Sequence, residues 1–167
     1  MANSDFPRLR YSDVVETVAR PTGAFKVVAN APAAEIDTDC QTTAVNIQGC
    51  KQLDIFIDVA TNPGNNSTKL YMKIRFSGKQ TPATATNADW GYIQIDNIAG
   101  ATGISSVQDY MIEIDIKNVN GTAATTYPRR YISRIQQISG RHASAIVWTD
   151  AGTATGTVYF MRQGGSM

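Results

Sequence analysis

Alternating apolar and polar residues, turn signals between the alternating runs, and no sustained helical period predict an all-β protein. The specific expectation is an antiparallel β-sandwich of about eight strands, jelly-roll-like in its most regular form. An extended N-terminal arm is expected over 1–40 and the sandwich domain over 41–167. The organising stretch is Lys51-Gln-Leu-Asp-Ile-Phe-Ile-Asp-Val-Ala60. Leu53, Ile55, Ile57 and Val59 share one face, with Asp54, Phe56 and Asp58 on the other. After Asn62-Pro-Gly-Asn-Asn-Ser67 comes a second alternating run, Lys69–Ser77. There Leu70, Met72, Ile74 and Phe76 oppose Tyr71, Lys73 and Arg75. Two such runs across a Pro/Gly/Asn loop are expected to pair as an antiparallel hairpin at the centre of the fold.

The arm is set apart by Pro7, Pro21 and Pro32, each of which blocks helix and favours extended chain. Between them lie two short clusters, Val14-Val15-x-x-Val18 and Phe25-x-Val27-Val28. Residues 1–40 are therefore expected to serve assembly more than folding. Phe6, Leu9, Val14, Val15, Val18, Phe25 and Val27 are its candidate anchors on a protein partner.

Beyond the arm, Thr42–Ile47 is expected as a short strand. Gly78–Ala88 is a polar Thr/Ala-rich loop of a length associated with contacts. Strands follow over Asp89–Ile95 and Asp109–Lys117; in the latter Tyr110, Ile112, Ile114 and Ile116 oppose Glu113 and Asp115. Asn118-Val-Asn-Gly-Thr122 is a turn. Pro128–Ile135 mixes Arg129, Arg130 and Arg134 with Tyr131, Ile132 and Ile135, a pattern suited to an edge or an interface. Arg141–Trp148 and Ala154–Met161 complete the set.

Composition narrows the function. The chain has 167 residues, 43% hydrophobic and only 17% charged, with a formal net charge of +1. A near-neutral chain gives no electrostatic case for nucleic acid or a membrane surface. No apolar run reaches the ~20 residues that span a bilayer. The N-terminus lacks the pattern of a signal peptide, and synthesis in a cytoplasm is expected. The spacing of Cys40 and Cys50 allows a disulfide, while a reducing compartment favours two free thiols.

Catalytic chemistry finds little footing. His142 is the one histidine, and no Gly-x-Ser-x-Gly elbow accompanies it. Asp54 with Asp58, and Glu113 with Asp115, alternate as solvated strand faces do. Asp37 and Asp39 do not have the spacing of a calcium loop. No catalytic residue, cofactor or metal site is expected, and the chain is read as a non-enzyme. Arg129, Arg130, Arg134 and Arg141 form the one basic cluster, best suited to a protein partner. Trp90, Tyr92 and Trp148 are either packing residues or a sugar-stacking platform.

The run Val45-x-Ile47-x-Gly49, Leu53-x-Ile55-x-Ile57-x-Val59 and Leu70-x-Met72-Lys-Ile-Arg-Phe-Ser77, followed by Asp89-Trp90, resembles small virion proteins of tailed phages. Arg130 or Arg141 would match an arginine of a later strand in that group, and Val158-Tyr-Phe160 its terminal strand. The resemblance covers roughly Thr43 to Met161 and rests on alternation and turns. The Thr/Ala loop and the proline-punctuated arm depart from the plainest members. It implies a capsid decoration (cement) protein that binds the major capsid protein as a homo-oligomer on a virion assembled in the host cytoplasm. A tail or head–tail connector subunit, or a carbohydrate-binding module, is the alternative.

Overall fold

The computed structural model describes residues 14–28, 38–60, 69–84, 87–92, 94–95, 108–109, 111–116, 129–136, 138, 140–150 and 154–164. They form an all-β fold of antiparallel sheets with no α-helix among the described residues. The strands are β1 (Val14–Ala24), β2 (Val45–Asn46), β3 (Cys50–Val59), β4 (Lys69–Ser77), β5 (Gly91–Tyr92), β6 (Gln94–Ile95), β7 (Gln108–Asp109), β8 (Met111–Asp115), β9 (Arg129–Ile135), β10 (His142–Thr149) and β11 (Thr155–Gly164). The first sheet has the order β1-β11-β3-β9. The second runs β2-β10-β4-β5, with β8 also paired to β4, and β6 pairs with β7 separately. The count exceeds the expected eight because β2, β5, β6 and β7 are two-residue pieces.

The expected hairpin does not form. β3 pairs with β11 and β9, whereas β4 pairs with β10, β8 and β5. The two runs belong to different sheets and bring their apolar rows into one core. Alternation fixes which residues share a face; it does not fix the hydrogen-bonding partner. The facing rows are as expected: Leu53, Ile55, Ile57 and Val59 from β3, and Leu70, Met72 and Ile74 from β4, are all buried. Val158 and Phe160 of β11, Ala145 and Val147 of β10, and Ile116 complete the core.

Residues 14–28, expected within an arm, are built into this body. β1 is an eleven-residue strand paired with β11 from Val14↔Gln163 to Ala24↔Thr155, with register shifts around Arg20. The chain then crosses to the second sheet. Thr149 donates its amide to Lys26 O (2.9 Å), and Val28 donates to Thr149 O (2.8 Å). The segment thus ties the two sheets together along one side. Phe25, expected as a partner anchor, is a core residue. Its ring lies where Gly156 leaves space: a Cβ on Gly156 would sit 2.8 Å from that ring and 2.2 Å from Asp58 O. Only glycine permits this close approach.

Arg75 also departs from expectation. Alternation puts it on the outer face of β4, yet it is fully buried. The following loop folds back over it. Arg75 Nη2 donates to Thr84 O (2.9 Å) and to Ser144 Oγ (3.3 Å), and the guanidinium lies 4.6 Å from the Trp90 ring centre. Trp90 Nε1 donates to Ala83 O at 2.8 Å. Asp89 closes the loop by accepting from Lys79 Nζ and from the Ala83 amide. The Thr/Ala loop is thus held against its own sheet, as far as its described residues show.

Two outcomes follow from this packing. Ile55→Asp would bury an unpaired carboxylate in the shared core and should lower stability by several kcal/mol, on the order of 3 or more. Urea unfolding measures it, and a parent-like midpoint would contradict the placement of β3. The second concerns pH. The Lys79 and Ala83 hydrogen bonds hold the Asp89 carboxyl below its ordinary value of 3.8. Its contribution is therefore complete above that value and disappears as pH falls through the depressed one. Exchange of the Ala83 amide, once corrected for the intrinsic pH dependence of exchange, should speed up selectively over that acid range.

Candidate functional site

The outer face of the first sheet gathers Arg130, Arg134 and Ile132 with the two carboxylates of β3. The registers define three rows across it. One is Glu16, Met161, Asp54 and Arg134. The next is Val18, Tyr159, Phe56 and Ile132. The third holds Thr157, Asp58 and Arg130. The middle row is apolar across all four strands. Its two ends are open, Val18 being 52% and Ile132 60% exposed.

The flanking rows are ion-paired within the chain. Arg130 donates from Nε and Nη2 to the two oxygens of Asp58 at 2.5 and 2.6 Å. Arg134 does the same to Asp54 at 2.9 and 3.2 Å. Such bidentate pairs match the planar fork to the carboxylate. The Asp58 hydrogen bond raises the Arg130 pKa, and the Asp54 bond raises that of Arg134, so both guanidiniums stay charged. Arg130 also lies 5.5 Å from the Phe56 ring centre and 5.6 Å from that of Tyr159. It thus fixes one edge of the apolar row while neutralising Asp58.

Asp54 is the most constrained group on this face. Although it points away from the core, it is only 2% exposed. Besides Arg134, it accepts from Gln52 Nε2 (3.1 and 3.3 Å) and Gln163 Nε2 (2.7 Å). Residues from β3, β9 and β11 therefore meet on one carboxylate. A buried charge is tolerated here because its acceptor capacity is filled.

The candidate anchors fall into several places. Val15 and Val18 are exposed on β1, and Val27 is exposed where the chain crosses to the second sheet. Phe25 is internal. Phe6 and Leu9, and the side chains of Val14 and Arg129, lie outside the described residues. The basic cluster does not assemble: Arg130 and Arg134 sit on edge strand β9, whereas Arg141 is exposed beside β10 in the other sheet. Sequence reading missed Phe56 as the cross-strand neighbour of Ile132 and Tyr159 as that of Val18. Only the pairing of β11 between β1 and β3 joins the four into one row.

The other candidates carry little chemistry. Trp148 is buried and stacked on Tyr71, with ring centres 5.5 Å apart, and Trp90 is buried beneath Arg75. These two do not make an open sugar platform. His142 opens β10, a central strand of the second sheet, and its Nδ1 lies 3.1 Å from Lys79 O. Cys40 is buried beside Ile146 and Trp148, and both cysteines are unbridged. Burial raises the Cys50 thiol pKa, partly offset by Arg162. Among the described residues no cluster of three His, Cys, Asp or Glu could hold a metal ion. Asp37 lies outside the described residues, and no described helix is long and apolar enough to cross a membrane.

Removing the carboxylates should separate the two ion pairs. Asp54→Ala leaves three donors without their acceptor and should cost roughly 1–3 kcal/mol. Asp58→Ala removes a partly exposed pair and should cost less than about 1 kcal/mol. Chemical denaturation of both variants checks the order.

Compared with known proteins, the chain matches no family model and no curated sequence.

Proposed function

We propose that this chain is a structural protein of a tailed-phage virion, a capsid decoration (cement) protein that binds and stabilises neighbouring major capsid subunits. The observation that carries this reading is the apolar row Val18–Tyr159–Phe56–Ile132, flanked by ion pairs already closed within the chain. Such a surface offers apolar contact without requiring new charge pairing, as the core of a protein interface does. The resemblance of the Val45–Ser77 run to small phage virion proteins supplies the partner class. A formal net charge of only +1 fits a protein partner better than nucleic acid. In this role the chain does no chemistry; it adds contact area across subunit boundaries.

The test uses capsids of the encoding phage prepared without this protein. Phe56→Lys places an ammonium between Asp54 and Asp58 and interrupts the apolar row. Its capsid affinity should fall about tenfold or more, the scale of a lost interface anchor. Glu113→Gln, on the other sheet, should bind like the parent. Melting curves establish that both variants are folded. If the parent fails to bind such capsids, or Phe56→Lys binds unchanged, the assignment of this face fails.

A further inference from the structure

Among the described residues, the large apolar side chains left exposed are Val15, Val18, Val27 and Ile132. Three of these lie on the two edge strands of the first sheet: Val15 and Val18 on β1, and Ile132 on β9. Edge strands carry unpaired backbone donors and acceptors, and natural sheets usually protect them with charge, proline or a cover. Here the edges are apolar at matching heights. Among the described residues, the part of β1 left open ends at Val18, because the Ala19 carbonyl accepts from the Thr43 amide and hydroxyl, both at 2.9 Å.

We infer that the chain associates with itself head to tail, β9 of one copy adding to the Val14–Val18 edge of β1 in the next. Four antiparallel strands make this addition antiparallel as well, since β9 runs opposite to β1. Continuing the observed rows without a break fixes the register. Ile132 of one copy then meets Val18 of the next, and Ile135 meets Val15. Arg134 meets Glu16. The contact is apolar on both sides of the sheet and joins opposite charges, each of which favours cross-strand pairing.

Charge disfavours two of the twofold alternatives. Two β9 strands meeting about a twofold at Ile132 would set Arg130 against Arg134. Two β1 strands meeting about Glu16 would set that carboxylate against its own copy. Both place like charges opposite each other. In the head-to-tail arrangement Glu16, which forms no ion pair among the described residues, gains one. Arg134 uses Nε and Nη2 on Asp54, leaving Nη1 for Glu16 of the neighbour. A head-to-tail contact repeats, producing a ring or an open chain of subunits instead of a closed pair. This association does not rest on capsid binding, although Val18 and Ile132 also end the apolar row proposed for it, and it can be tested without capsids.

Sedimentation velocity on the full chain, over rising concentration, is the first measurement; species larger than a dimer are expected. Val18→Lys blocks the β1 edge, and Ile132→Lys blocks the β9 edge. Both positions are more than half exposed, so both variants should melt like the parent. Each alone should sediment as a monomer. Mixed together, they retain one intact edge apiece and should form a heterodimer and nothing larger. Glu16→Lys should weaken parent assembly about tenfold or more, the scale of a charge reversal at a contact. A parent that stays monomeric at high concentration overturns the inference. So does either blocked variant that still dimerises alone, or a mixture that stays monomeric.

Discussion

Apposition of two apolar rows is the constraint on which this fold depends. Leu53, Ile55, Ile57 and Val59 face the core from one sheet, and Leu70, Met72 and Ile74 face it from the other. Neither strand can bury its row by pairing with the other edge to edge. Side chains stand perpendicular to a sheet, so burial requires a second layer. The chain must therefore leave the first sheet after Val59 and enter the second at Lys69. Once those strands face each other, β11 and β9 are recruited to one side, and β10, β8 and β5 to the other. The outer faces, with their ion pairs and apolar row, are what remains after that division.

Local alternation made the core positions of β3 and β4 legible, along with the solvent positions Glu113 and Asp115. The edge character of β9 could be read from its mixed arginine and isoleucine pattern. Pairing was not legible. A period of two says which side chains share a face, and the same pattern serves a hairpin or two facing strands. The placement of Phe25 was hidden for a related reason. Its cluster looked short because the space it fills is created by Gly156, more than a hundred residues later in the chain. Alternation sets Arg75 on the face shared with Tyr71 and Lys73, and nothing in its own strand announces the loop that folds over it.

The outer face of the first sheet shows the same division between local and distant information. Asp54 and Asp58 read locally as a solvated strand face. Their partners Arg134 and Arg130 come from a strand more than seventy residues away, and Gln163 from further still. The basic cluster was visible as composition, but two of its members, Arg130 and Arg134, are paired within the chain. What reaches the surface is less electrostatic and more apolar than the sequence suggested. A surface of this kind discriminates by shape and register, with charge acting at its margins.

The position of β11 has a consequence for biosynthesis. It is the last described strand, yet it lies between β1 and β3 and supplies hydrogen bonds to both. While the chain emerges from a ribosome, β1 has no partner in its sheet and β3 lacks one of its two. The inner rows of both strands stay wet until residues near 160 arrive. Closure then joins segments separated by nearly the whole chain, which carries a large loop entropy and slows folding. Nascent chains would therefore keep this slot of the sheet empty until Thr155–Gly164 has emerged. Any strand able to enter that slot early, including one from another nascent copy, competes with the correct one. The timing of translation thus becomes a determinant of yield, and the final ten residues of the slot-filling strand act as the lock.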